Sequence, residues 1–290
     1  ESARQTATLK AIQENPGFRR SFVRPDGRVA AAGETLKQED LASTLRRLAT
    51  IGVQDFYEGE IARRIVDDMA ANEGFITAED LAGYRVLDGR MVHTNYRGFG
   101  IHSIAAPAGG GLVVKALNIL EQFDLAAMTE RQWAATVGQA LALSVFSMSY
   151  DYEEADLIEV ESKDWARDQA GLIEVPDVAA IPSVDEFVPE MQAATDWLGD
   201  TWGPDSHHTT HFSIADCNGM LVSITQTLGP TFGSKVITPG LGFVYATTMG
   251  TYLSESDSEP GSRPRTTIAP TVVTKNGETV MVLGAAGGLR

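Results

Sequence analysis

The sequence predicts an α+β fold rather than alternating βαβ units. Three observations carry this. Before residue 203, apolar residues recur mostly at helix spacing. After residue 208 the period falls to two, as in half-buried strands. Between them lies a linker-like run, Gly203-Pro204-Asp205-Ser206-His207-His208.

The elements follow in order. The chain opens in a helical pattern, and Leu36, Leu41, Leu45 and Leu48 recur at helix spacing around Gln38-Glu39-Asp40. Residues 59–71 predict a second helix with Ile61, Ile65, Val66 and Met69 on one face, ending near Asn72 and Gly74. Thr77 has the form of an N-cap for a short helix, with Asp80 three residues on. Residues 91–96 and 99–104 predict strands around an Arg97-Gly98 turn. Pro107 and Gly109-Gly110-Gly111 break the chain. Residues 112–123 form a strongly apolar helix, with Leu112, Ala116, Ile119, Leu120 and Phe123 expected inside; residues 134–146 form another. Residues 151–202 are acidic and irregular, and read as surface helix and loop. Residues 209–216 and 220–227 predict a hairpin around Cys217-Asn218-Gly219. Residues 243–246, 270–275 and 279–283 predict further strands, the last two joined at Asn276-Gly277. Residues 284–288 form a glycine loop.

Composition excludes some functions. There are 39 acidic against 23 basic residues, a net charge of −16. Nucleic acid requires a basic footprint, and an anionic membrane surface does too. Cys217 is the one cysteine, so no internal disulfide framework and no cysteine-based metal site exists. No apolar run approaches the roughly 18 residues of a membrane span. No metal and no cofactor is called for.

Thr209 carries the chemistry of interest. It opens the strand Thr209-Thr210-His211-Phe212-Ser213-Ile214-Ala215-Asp216 directly after the linker. If the chain is cut before it, its α-amine becomes a nearby base for its own hydroxyl. Taken alone, the octapeptide reads more readily as a Thr-rich edge strand.

The rest of the chain changes that balance. Asp55-Phe56-Tyr57-Glu58-Gly59, Ile76 to Leu81, Tyr96-Arg97-Gly98, and Pro107 with its glycines occur in one order. They are followed by Leu117-Asn118-Ile119-Leu120-Glu121, then Thr209-Thr210-His211, Asp216, Asn218-Gly219 and Val222-Ser223-Ile224-Thr225. Thr231-Phe232-Gly233, Arg263-Pro264 and Gly287-Gly288 complete the set. In this the chain closely resembles the γ-glutamyltransferase family of N-terminal-nucleophile hydrolases.

The resemblance implies a four-layer αββα sandwich, present here in part. It implies a precursor cut between His208 and Thr209. Residues 1–208 would then be the later part of the large-subunit region, and 209–290 the start of the small subunit, together one structural domain. Thr209 would be the nucleophile and its α-amine, with an ordinary pKa near 8, the base. Thr227 matches a second threonine that supports the nucleophile; alone it reads equally as a strand-end hydroxyl. Gly287 and Gly288 match the oxyanion hole, where two backbone N–H groups converge; alone they read as a glycine turn. Thr266 and Thr267 stand where the family has serines that bind the substrate carboxylate. His211 reads as a structural strand residue, and His207 and His208 as exposed linker.

The chain departs from the family at its glutamyl pocket. Gly229 replaces an Asn, and Thr248 and Thr251 replace the Gln (or Glu) and Asp that hold the substrate α-amino group. An ammonium therefore loses its acidic partner, a loss of roughly 10⁴-fold in specificity by polar recognition. Family members also extend before the equivalent of Glu1 and beyond Arg290, so these residues are expected to be the middle of a longer protein. Three readings stand: an amidohydrolase or acyltransferase with a non-glutamyl, small acidic acyl specificity; a true γ-glutamyltransferase; and an uncleaved, inactive binding homologue. The expected partner is a small-molecule amide; a homodimer is left open.

Overall fold

The computed structural model describes residues 10, 13–31, 33–147, 154–176, 209–229, 232–248, 261, 263, 264 and 266–286. They fall into two compact units, one from Glu1–Asp88 with Leu228–Thr248, the other from Gly89–Thr227 with Met249–Arg290.

In the first unit, α1 (Pro16–Phe22) begins where Asn15 accepts from the Phe18 N–H at 2.8 Å. It is followed by α2 (Glu39–Ile51), α3 (Gln54–Tyr57), α4 (Glu60–Ala71) and α5 (Ala78–Gly83). The expected face of α4 is the buried one: Ile61 and Ile65 pack with Leu241, bordered by Leu48 and Met69. The four-leucine stripe is only partly realised, because α2 starts after Leu36 and leaves Leu45 exposed. Thr77 and Asp80 close the predicted capping box, Asp80 N–H donating to Thr77 Oγ1 at 3.2 Å and Thr77 N–H to Asp80 Oδ2 at 2.8 Å. Residues 232–248 lay Ile237 against Phe18, and Thr44 donates to the Leu241 carbonyl at 2.8 Å.

The strand expected at 243–246 does not form. The segment takes no regular secondary structure, and Tyr245 bonds only irregularly to the backbone of Ser234 and Val236. Left-handed φ at Phe232, Gly233 and Lys235 curls the facing chain, so a regular ladder cannot propagate.

The second unit opens with β1 (Met91–Tyr96) and β2 (Phe99–Ile104), joined where Arg97 and Gly98 both take positive φ. Then come α6 (Gly110–Leu120), a short 3₁₀ turn, α7 (Glu130–Phe146), α8 (Glu154–Val160) and α9 (Lys163–Ala170). After these come β3 (Thr209–Ala215), β4 (Leu221–Thr227), β5 (Thr271–Lys275) and β6 (Glu278–Leu283). All pairings are antiparallel: one sheet runs β1-β2-β5-β6, the other is β3-β4. Helices and strands fall in separate runs along the chain and every strand pairing is antiparallel, as in an α+β fold.

Alternation decides which side of the larger sheet is covered. Val92, Thr94, Ile101, Ser103, Thr271 and Val273 are buried, and Val114 of α6 packs on Val92 and Ala105. Ile119 and Leu120 meet Ala140 of α7 and Ala166 and Ala170 of α9. Residues 163–170 form a surface helix, as expected within 151–202, with Asp164 and Arg167 exposed and Ala166 and Ala170 on its inner face. One expectation is corrected here. Phe123 lies beyond the end of α6, and Phe123 and Leu112 are only half-buried, while Lys115 and Asn118 are inside.

Candidate active site

The hairpin is built by local chemistry. At its turn, the Asp216 carboxylate accepts from the N–H groups of Met220 (2.8 Å) and Asn218 (2.9 Å). These bonds hold its carboxyl below the usual range. Gly219 supplies the positive φ that closes the turn. The resulting register sets Thr209 directly opposite Thr227 at the open end, with both half-buried.

One face of this hairpin is organised. His211 and its cross-strand neighbour Thr225 share a hydrogen bond, Nδ1 to Oγ1 at 2.7 Å, and His211 Nε2 lies 3.1 Å from Ser213 Oγ. Ser213 Oγ donates to the Val282 carbonyl at 3.4 Å, and Ser223 Oγ to the Leu283 carbonyl at 3.0 Å. The face that carries positions 209, 211 and 213 is thereby turned toward the end of β6. Gly284 follows immediately, and a Cβ there would overlap the His211 ring.

Thr266 and Thr267, both half-buried, are tied to the loop before α6. Thr266 N–H donates to the Pro107 carbonyl at 2.9 Å, Gly109 N–H to Ile268 at 2.8 Å, and Ile268 N–H to Thr266 Oγ1 at 3.1 Å. This explains the glycines: a Cβ on Gly109 would overlap the Thr267 carbonyl, and one on Gly110 the Ile104 carbonyl.

Gly229 and Thr248 belong to the first unit. Gly229 is buried with φ +89°, and a Cβ would lie 2.9 Å from the Thr247 carbonyl oxygen. The Thr247 N–H donates to the Leu228 carbonyl at 2.8 Å, so the structure brings positions 229 and 248 into one neighbourhood. Thr251, His207, His208, Gly287 and Gly288 lie outside the described residues.

Sequence reasoning missed two features. Lys115 is 5% exposed, and burial pushes its ammonium pKa down to about 8, against the attraction of Glu161. Glu161 is itself held by the Arg90 fork at 3.0 and 3.1 Å. A lysine inside the apolar pattern of 112–123 was the available signal. A cleft of about 370 Å³ on the open side of the larger sheet is lined by His93, His102, Asn95 and Thr274, among others, and by none of the expected site residues. Among the described residues, no cluster of three or more His, Cys, Asp or Glu could hold a metal, and no helix is long and apolar enough to cross a membrane.

Comparison with known proteins shows the family. The family model described as Gamma-glutamyltranspeptidase matches residues 1–290. A glutathione hydrolase proenzyme of Escherichia coli (strain K12) is 31% identical over 297 residues, covering 91% of this chain and 47% of that protein. An Acylase ACY 1 proenzyme of Pseudomonas sp. (strain SE83) is 31% identical over 295 residues, covering 96% and 49%. The crystal structure of a cephalosporin acylase from Bacillus halodurans superposes with a TM-score of 0.75 at 26% identity, covering 94% of this chain and 48% of that one. The chain belongs to the gamma-glutamyltranspeptidase family. It spans about half the length of the curated relatives it matches.

Proposed function

We propose that this chain is part of a self-processing threonine amidohydrolase that cleaves the amide of a small acidic acyl group through an acyl-enzyme on Thr209. The observation that carries the reading is the register of the hairpin, Thr209 opposite Thr227 at its open end, directly after His207-His208. Relatives named as proenzymes support a precursor divided into large and small subunits.

In this reading, cleavage between His208 and Thr209 frees an α-amine. The amine takes the Thr209 hydroxyl proton while Oγ attacks the amide carbonyl carbon. The carbonyl π electrons move to oxygen, where the N–H groups of Gly287 and Gly288 hold the charge. Collapse breaks the C–N bond, and the leaving amine takes the proton back from the ammonium. Water or an acceptor amine then attacks the ester with the same base and restores the hydroxyl. The Thr227 hydroxyl hydrogen-bonds to Thr209 Oγ, and the hydroxyls of Thr266 and Thr267 donate to a substrate carboxylate.

The acyl preference rests on the residue types at positions 229, 248 and 251. Gly229 has no side chain and, at φ +89° against Thr247, little room for one. Thr248 and Thr251 offer no carboxylate to an α-ammonium. The acylase relatives favour the same reading. The glutathione hydrolase relatives favour the second, in which a γ-glutamyl amide is the substrate. Mass spectrometry of the complete protein should find a new terminus at Thr209, and Thr209→Ala should abolish both cleavage and turnover. An intact, active precursor would remove the nucleophile. Faster turnover of γ-glutamyl than of glutaryl amides would decide for the second reading.

A further inference from the structure

We infer that His211 is a positioning residue that holds Gly284, the start of the glycine tail, against the strand that carries Thr209. The inference rests on Thr209 as nucleophile and adds a device the proposed mechanism does not contain.

The ring is fixed from both nitrogens. Ser213 Oγ donates to the Val282 carbonyl, so it accepts from Nε2–H, and Nδ1 then accepts from Thr225 Oγ1. That leaves the ring edge between the two nitrogens, Cε1, facing Gly284. An added Cβ at 284 would overlap Cε1 and Nδ1 and lie 3.0 Å from Nε2. The neighbouring contacts act in the same direction. Ser213 meets Val282, Ser223 meets Leu283 and His211 meets Gly284, so one hairpin face grips three successive residues at the end of β6.

The consequence is catalytic. Thr209 is the next residue on that face, roughly 7 Å along the strand from His211. Gly284 precedes Gly287 and Gly288 by three and four residues in the chain, so where Gly284 is held limits where their N–H groups can reach. Oxyanion donors must sit about 2.7–3.1 Å from the developing charge. A displacement of about 1 Å costs roughly 10²-fold in rate. A residue that served only the strand would change stability and leave kcat per active site alone.

The test uses the complete processed protein, with kcat referred to cleaved enzyme. Gly284→Ala should lower kcat by roughly 10²-fold while KM stays within about threefold. His211→Ala should do the same. His211→Asn, which keeps a polar group near the Nδ1 position, should recover part of the loss, whereas His211→Phe should not. The double variant G284A/H211A should be no worse than the worse single variant, because removing the ring makes room for the methyl. Losses that multiply in the double variant overturn the proposal. So does a His211→Ala enzyme with unchanged kcat and only a lower Tm; if that variant fails to fold, His211→Asn and Gly284→Ala still decide. Thr209→Ala, run alongside, separates the claims. Turnover by Thr209→Ala removes the nucleophile, while an inactive Thr209→Ala beside fully active His211 variants removes the clamp alone.

Discussion

At the scale of single residues, two buried charges set how stability responds to pH, in opposite senses. Lys115 titrates near 8 in the fold because burial penalises its ammonium, whereas an unfolded lysine titrates near 10.4. The unfolded chain therefore binds the proton more tightly, and Lys115 destabilises the fold below pH 8. That penalty fades as pH rises from 8 toward 10. Lys115→Met should raise Tm at pH 7, by roughly 2–4 °C if the net gain is about 1 kcal/mol. The gain over the parent should shrink in thermal melts taken between pH 8 and 10. A gain that is constant with pH would show that the lysine charge is not the cause.

Asp55 works the other way. It is buried and accepts from Arg47 Nε at 2.5 Å, Arg47 Nη2 at 2.7 Å and the Glu60 N–H at 3.1 Å. The Arg47 fork holds its carboxyl below the ordinary range. Its contribution is complete above about pH 4, where an unfolded aspartate is ionised, and is lost as pH falls through the lower folded value. Asp55→Asn should lower Tm at pH 7, and the difference from the parent should close under acid conditions. Neither charge was legible as buried in the sequence. Arg47 meets Asp55 only once two consecutive helices pack together, and the apolar residues around Lys115 read simply as a core-facing helix.

At the scale of elements, local chemistry made most of the structure legible. The Thr77–Asp80 box, the Arg97-Gly98 turn, Asn276-Gly277 with both φ positive, and the Asp216–Gly219 turn all form where the residues demand them. Thr77→Ala should cost α5 about 1 kcal/mol, the usual worth of a cap. Hydrogen exchange should then quicken over residues 78–83 and not over α4; unchanged exchange would mean tertiary contacts hold α5. Where reading by element failed, non-local structure was responsible. Residues 243–246 have a strand pattern, yet left-handed residues opposite them prevent a ladder. Residues 163–170 form a surface helix whose inner face the irregular pattern did not reveal: small Ala166 and Ala170 let α9 settle on α6.

At the scale of the molecule, the proposed substrate class is the property to test. If an acyl group without an ammonium is the natural one, Thr251→Asp should raise turnover of γ-glutamyl relative to glutaryl amides. One restored polar partner is worth roughly 10-fold to 10²-fold here, since Gly229 and Thr248 remain unchanged. Competition between the two amides on processed enzyme reads the ratio directly. No change would mean that position 251 does not face the acyl group.

The candidate site divides along the same line. The sequence by itself determined the order of helices and strands, the hairpin that pairs Thr209 with Thr227, and the residues that make the family recognisable. These depend on periodicity and turn chemistry, which act over a few residues. Only the tertiary structure decided that His211 meets Gly284, that Gly109 must admit the Thr267 carbonyl, and that Gly229 lies beside Thr247. Such contacts join residues far apart in the chain. No local pattern encodes them, because the constraint is the space left between two backbones once both have folded.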